Sequence, residues 1–229
     1  MTQAAKQINV YLEIGKTRTF AVALDWPGWC RSGPDERSAL QTLFDYGPRY
    51  ARALTAAQLS FSPPSQISAL VVVERLVGNA TTDFGAPSLS LSRDTQSIAP
   101  AELQRFQMVL EACWKMFDTA VKAAAGQALR KGPRGGGRDL TKIIEHVSDV
   151  DAAYLGSLGG KPAPRNAGDP SQALAQVRQQ ILVTLVAAAH GEVAERGPRG
   201  GLRWPPRYFV RRLAWHELDH AWEIQDRAE

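Results

Sequence analysis

The chain has 229 residues, enough for one large domain or two small ones at ~100–200 residues each. Apolar residues make up 44% and charged residues 22%, a balance that excludes global disorder and collagen-like repetition, and a formal charge of +4 is too thin an excess to mark a nucleic-acid-binding protein. No run approaches the ~18 apolar residues of a membrane helix, Lys6, Glu13, Lys16 and Arg18 stand where a signal peptide needs an apolar core, and Cys30 and Cys113 are too few for a disulfide framework; the expected setting is the cytoplasm.

Residues 7–14 alternate, with Ile8, Val10, Leu12 and Ile14 on one face, which predicts a half-buried strand. Gly15 to Thr17 makes a turn into a second strand over 18–24, and Asp25 to Gly28 closes the hairpin. A helix is expected from Pro34-Asp35-Glu36, broken or kinked at Gly47-Pro48, because proline removes a donor and clashes with the preceding turn. The β-branched run at 68–77 predicts a further strand. Residues 1–80 thus read as a small β-β-α-β domain. Glycine, proline, serine and threonine dominate 81–99, which reads as a linker.

Residues 100–229 read as all helix. Pro100 suits a first helical position, and Leu103, Phe106, Leu110, Cys113, Phe117, Val121 and Ala124 keep a 3/4 spacing. Residues 132–137 stop that helix. Asp139 is placed to cap a second, with Leu140, Ile143, Val147, Val150 and Tyr154 inward. A third helix follows from about Ser171 and ends near the second GPRGG run; a fourth starts near Pro205-Pro206. The connection over 156–170 can span ~50 Å at ~3.3 Å per residue, longer than a ~30 Å helix. The fold class is therefore α+β, with a four-helix bundle expected in an up-down-down-up order.

All four histidines fall in this second part. On the fourth helix the inward stripe runs Phe209, Leu213, His216, His220, Ile224, so two imidazoles occupy positions where a bundle wants leucine. His146 lies beside the core stripe of the second helix, at mid-helix like the other two. Three imidazoles converging in an apolar core each bring polar groups that need a partner, and one divalent transition ion satisfies all three. The competing reading is three separate histidines bonded to carbonyls or water. His216 to His220 also spells H-E-x-x-H, but no later helix supplies the third ligand a zincin protease requires, and the nine residues after His220 contain no histidine. Glu217 sits ~100° from His216, on the flank of the site: a solvated or interhelical charge, or a support for the centre.

The segment WPPRYFVRRLAWHELDHAWEIQDR (204–227), with Ile143 to Val147 and Tyr154-Leu155, resembles the DinB/YfiT-like family over about residues 100–229. The resemblance implies a four-helix bundle with a long crossover and a three-histidine centre falling on His146, His216 and His220. It implies zinc, nickel or a related divalent ion, frequent homodimers and, in some members, transfer reactions with a low-molecular-weight thiol as cosubstrate. The strand pair at 7–24 and the LDWPGWCRSG run (24–33) before a helix resemble the HicB-like antitoxin fold over roughly 7–77. That implies an interaction or dimerisation module with a protein partner.

Weaker signals are Trp26 and Trp29 in a turn, as a stacking site or a loop pin; Arg130, Lys131, Arg134 and Arg138 around a glycine-rich turn, as an anion site or a solvated loop; His190 at the third helix's C-terminal end, outside the site; and Cys113 as a buried apolar group. Two functions stay open. One is a metal-dependent transferase or hydrolase, with no catalytic base assigned. The other is a regulatory binding protein in which the metal only stabilises the bundle.

Overall fold

The computed structural model describes residues 7–55, 57–131, 137–162 and 170–228. The chain divides into two compact units, Met1–Ser90 and Leu91–Glu229.

In the N-terminal unit, β1 (Ile8–Ile14), β2 (Thr19–Ala23), β3 (Cys30–Gly33) and β4 (Leu70–Val77) form one sheet in the order β3-β2-β1-β4. β1 pairs antiparallel with β2, Val10 opposite Ala23, and parallel with β4, Ile8 opposite Leu70. The parallel pairing needs a crossover, supplied by α1 (Glu36–Asp45), which packs on β2 and β3, and by α2 (Gly47–Thr55). Asp35 caps α1 by accepting a bond from the Ser38 amide at 2.7 Å. Gly47-Pro48 does separate two helices, since proline is tolerated in a first turn and not in a helix interior.

Two expectations change here. The β-β-α-β order gains β3, whose sequence Cys-Arg-Ser-Gly lacks apolar alternation and is too short to show a period. Also, β1 is buried on both faces: Val10 and Leu12 on one side, Tyr11 and Glu13 on the other, while Ile14 is 36% exposed. The second face is covered from the segment read as a linker. Residues 80–84 form α3 (Ala80–Phe84), capped by Asn79, and Glu13 accepts bonds from Thr82 Oγ1 (2.5 Å), Ser88 N (2.9 Å) and Leu89 N (3.0 Å). A buried acidic side chain thus ties down a stretch whose composition alone suggested no structure. Trp29, fully buried, donates Nε1–H to the Leu43 carbonyl at 2.9 Å, and Tyr50 donates to the Pro27 carbonyl at 2.8 Å; with Trp26 and Phe61 they form an aromatic cluster that pins the turn.

The C-terminal unit contains α4 (Pro100–Ala123), α5 (Leu140–Leu158), α6 (Pro170–Ala189) and α7 (Pro206–Ala228). α7 packs on α4 and α5, α5 also packs on α6, and Phe117, Ile143, Val147, Leu174 and Ile224 share one core. Asp139 caps α5 through the Lys142 amide at 2.8 Å, as its position predicts. Gly159 ends α5 at φ +118°, a conformation open to glycine, and an added Cβ there would strike Val193 and Arg203. α7 runs parallel to α4, since Glu102 meets Arg207 near their starts and Met116 meets Gln225 further along. It runs antiparallel to α5: His146 meets His216, while the Ser157 carbonyl accepts from Trp204 N at 2.9 Å.

α7 departs most from its expected narrow stripe, because Arg207, Tyr208, Val210, Arg211, Trp215 and Glu217 are buried as well. Residues 91–99 cover its first half. Arg207 donates to the carbonyls of Gln96 (2.5 Å) and Ser97 (2.8 Å) and pairs with Glu102 at 2.6 Å. Arg211 pairs with Asp94, which is 1% exposed, through both carboxylate oxygens. The arginines of the first glycine-rich turn serve the other end of α7. Arg130 donates to the Asp226 and Arg227 carbonyls, satisfying acceptors at the C-terminal end of α7, and Arg227 donates to the Arg138 carbonyl at 2.7 Å, tying that end to the segment before α5. Arg134 lies outside the described residues. Among those residues, no helix is long and apolar enough to cross a membrane.

Candidate metal centre

Two helices build the centre. His216 and His220 lie one turn apart on α7, and α5 brings His146 opposite them. One ring nitrogen from each lies within 4.8 Å of the other two. His146 Nε2 and His216 Nε2 are 3.3 Å apart, and the three ring centroids lie 4.6–5.2 Å from one another. Two nitrogens bound at ~2.0–2.1 Å to a tetrahedral zinc ion are themselves ~3.3–3.4 Å apart, so the spacing suits lone pairs aimed at a shared cation. Three nitrogen donors are the set preferred by zinc, copper, iron or nickel, and they leave a tetrahedral ion one open position.

The second nitrogens differ. His220 Nδ1 lies 2.8 Å from Glu223 Oε2, one turn on, and Glu223 Oε1 accepts from Arg227 at 2.6 Å. The carboxylate thereby favours the tautomer that leaves Nε2 of His220 as a lone-pair donor toward the other histidines. The bond to His220, more than Arg227, holds the Glu223 carboxyl below its usual range. Glu223 is a member of the site that the sequence analysis does not name; its i+3 spacing from His220 is the signal the sequence offers. His216 Nδ1 is buried with no hydrogen-bond partner among the described residues, so His216 lacks the second-nitrogen support that Glu223 gives His220.

Electrostatics favour the neutral form of His146 and His216. Burial, then the neighbouring His220 and Arg138, lower His146 to about 4, with Glu223 opposing. Burial, then His220, His146, Arg212 and Arg138, push His216 well below the ordinary histidine value. Neutral imidazole is the ligating form. His190 is left out of the cluster: its side chain is 57% exposed and lies 3.9 Å from Glu192. Cys113 is fully buried, and burial followed by the charge of Glu217 pushes its thiol up, the opposite of a reactive cysteine.

Glu217 turns away from the histidines into a polar layer with one residue from each helix. Arg178 of α6 pairs with Asp118 of α4 at 2.8 Å, on the solvent edge, and reaches Glu217 of α7 at 3.5 Å. Asp151 of α5 and Glu217 have no exposed surface; no donor among the described residues reaches either Asp151 oxygen, and its hydrogen-bond partner is Glu217, an acid–acid pair that needs a proton to close. Burial, then Glu217, raises Asp151 well above its usual value; burial also raises Glu217, with Arg178 opposing. Glu217 is thus an interhelical charge.

The fold and site define an α+β protein whose helical C-terminal unit carries a three-histidine centre compatible with metal binding. Residues 109–224 match the DinB superfamily, just over half of the chain, and the chain belongs to that superfamily. The match does not extend to the N-terminal unit. Comparison with curated proteins and with solved structures gives no match.

Proposed function

We propose that His146, His216 and His220 bind one divalent ion, zinc or nickel, and that the chain catalyses metal-dependent transfer or hydrolysis on a small molecule, with a low-molecular-weight thiol as the favoured cosubstrate. The observation that carries this is the convergence of three imidazole nitrogens, two of them 3.3 Å apart, in a lowered-pKa environment. When bound, the ion supplies Lewis acidity toward a substrate oxygen and holds a thiol as thiolate. The chain's own residues orient the rings: Glu223 sets His220, and the packing of α5 on α7 sets His146.

The remaining features of the reading follow the superfamily. The parallel contacts of α4 with α7, and the antiparallel contacts of α5 with α7, support a four-helix bundle in up-down-down-up order. The N-terminal unit is read as a HicB-like interaction module, for a protein partner or a homodimer, in a cytoplasmic protein. Sedimentation of the purified full chain tests the dimer: a monomer across the micromolar range would remove it.

Metal analysis tests the centre. The full chain loaded with zinc or nickel should hold about one ion. His146→Ala, His216→Ala and His220→Ala should each lower occupancy sharply, and His190→Ala should match the parent. Equal loss from His190→Ala, or retention by all three ligand variants, overturns the reading. Turnover of a thiol with an electrophile, lost in the same three variants, then separates an enzyme from a protein whose metal only stabilises the fold.

A further inference from the structure

We propose that Arg212 forms a carboxylate-binding subsite beside the histidine centre, so that the centre takes a small organic carboxylate carrying a metal-seeking sulfur or oxygen about one helical turn from its charge. This rests on the metal reading of the three histidines.

Arg212 precedes His216 by four residues, which puts it on the same face of α7, ~6 Å along the axis. The two side chains share two aromatic walls. The Arg212 guanidinium carbon lies 5.7 Å from the Tyr154 ring centroid and 4.8 Å from that of Trp215, and Arg212 hydrogen-bonds the Tyr154 hydroxyl, which fixes the guanidinium while other N–H groups remain for a ligand. The His216 ring lies 5.9 Å and 6.1 Å from the same two rings. Trp204 continues the wall, 4.8 Å from Tyr154. His146, Tyr154, Trp204 and Arg212 are all partly exposed, so a solute can reach this seam between α5 and the start of α7.

The chemistry of the wall narrows the ligand. Guanidinium is a planar fork that matches a carboxylate through two parallel bonds, and flanking rings favour a flat group while excluding water, which strengthens the charge pairing. Arg212 places a fixed positive charge on the His216 side of the centre, which favours an anion there. A ligand whose carboxylate meets Arg212 lies on the same face of α7 as His216, so a second donor a few bonds on extends toward the histidines. Metal coordination alone would not distinguish anionic from neutral donors of the same kind; Arg212 supplies that distinction.

The test uses the full chain loaded with cobalt(II) and three thiols of similar length: 3-mercaptopropionate, 2-mercaptoethanol and cysteamine. Sulfur-to-cobalt charge-transfer absorption reads binding at the centre, and tryptophan emission reads the neighbourhood of Arg212. The carboxylate should bind about ten-fold or more tighter than the neutral thiol, with the cation weakest, as expected for a charge-assisted hydrogen bond. Arg212→Met should bring the carboxylate-to-neutral ratio close to one, and Arg212→Lys should retain several-fold of it. Equal affinities in the parent, or an undiminished ratio in Arg212→Met, overturn the subsite while a cobalt spectrum leaves the metal reading standing. Absence of any cobalt spectrum, with emission still responding to the carboxylate and not to 2-mercaptoethanol, overturns the metal reading and supports the subsite. Absence of both signals overturns both.

Discussion

Glu13 in the N-terminal unit and Asp151 in the C-terminal unit are both acidic side chains with no exposed surface, and their surroundings are opposite. Glu13 accepts from Thr82 Oγ1, from the amides of Ser88 and Leu89 and from Ser88 Oγ, so its burial closes a hydrogen-bond account and fastens a loop. Asp151 has no donor for either oxygen among the described residues, and its one hydrogen-bond partner is a second buried carboxyl, Glu217, with which it can only share a proton. In the same unit His216 Nδ1 is also buried and unpartnered. A satisfied buried polar group is explained by the fold it holds together. Unsatisfied ones lower stability, and the place of His216 in the three-histidine cluster points to function as the reason for keeping that one.

The largest expected effect lies at the histidines. His216→Ala should weaken metal affinity by ~100-fold or more, because two remaining ligands hold an ion poorly and stabilisation by the bound ion falls with occupancy. Competition against a chromophoric chelator measures this. An affinity loss under ten-fold would mean that the unsatisfied cluster is not a metal centre, and the contrast with Glu13 would lose its functional meaning.

Glu13→Ala should come next, destabilising the N-terminal unit by about 2–4 kcal/mol, since it strands buried donors that water cannot reach. Hydrogen exchange in the full chain reads it directly: protection of the Ser88 and Leu89 amides should fall by ~30-fold or more. If those amides keep their protection, Glu13 is not what fastens the segment.

The histidines were legible because their chemistry is carried by spacing. His216 and His220 interrupt a leucine stripe, and a helix is regular enough to project such a stripe into space. Caps were legible for the same reason, as at Asp139. What escaped depended on long-range partners. β3 is visible only as a neighbour of β2, and the structure of 80–95 depends on Glu13 in one unit and on Arg211 with Asp94 in the other. The all-round burial of α7 follows from residues 91–99 covering it, and no periodicity within α7 reports that. Glu223 and Arg212 lie about one turn from the histidines, but the roles proposed for them depend on the orientation of a ring and of two aromatic walls.

The smallest effect sharpens the comparison from the other side. Asp151→Asn should stabilise the protein, by about 1–2 kcal/mol at pH 8, where the equivalent neutral change at a satisfied acid would destabilise it. Burial and Glu217 raise the folded-state pKa of Asp151 above its unfolded value. Between those two values the folded chain binds more protons than the unfolded chain, so stability falls as pH rises, at up to ~1.4 kcal/mol per pH unit for one group. The contribution is fully present below the unfolded aspartate value near ~3.9 and is lost as pH climbs toward the folded one. Asparagine does not titrate, so the advantage of Asp151→Asn should be small at pH 5 and larger at pH 8. Urea denaturation of metal-free protein at both pH values, with parent and variant side by side, measures the difference. A variant that is less stable at pH 8, or a difference independent of pH, would show that Asp151 is satisfied in the folded chain after all and belongs with Glu13.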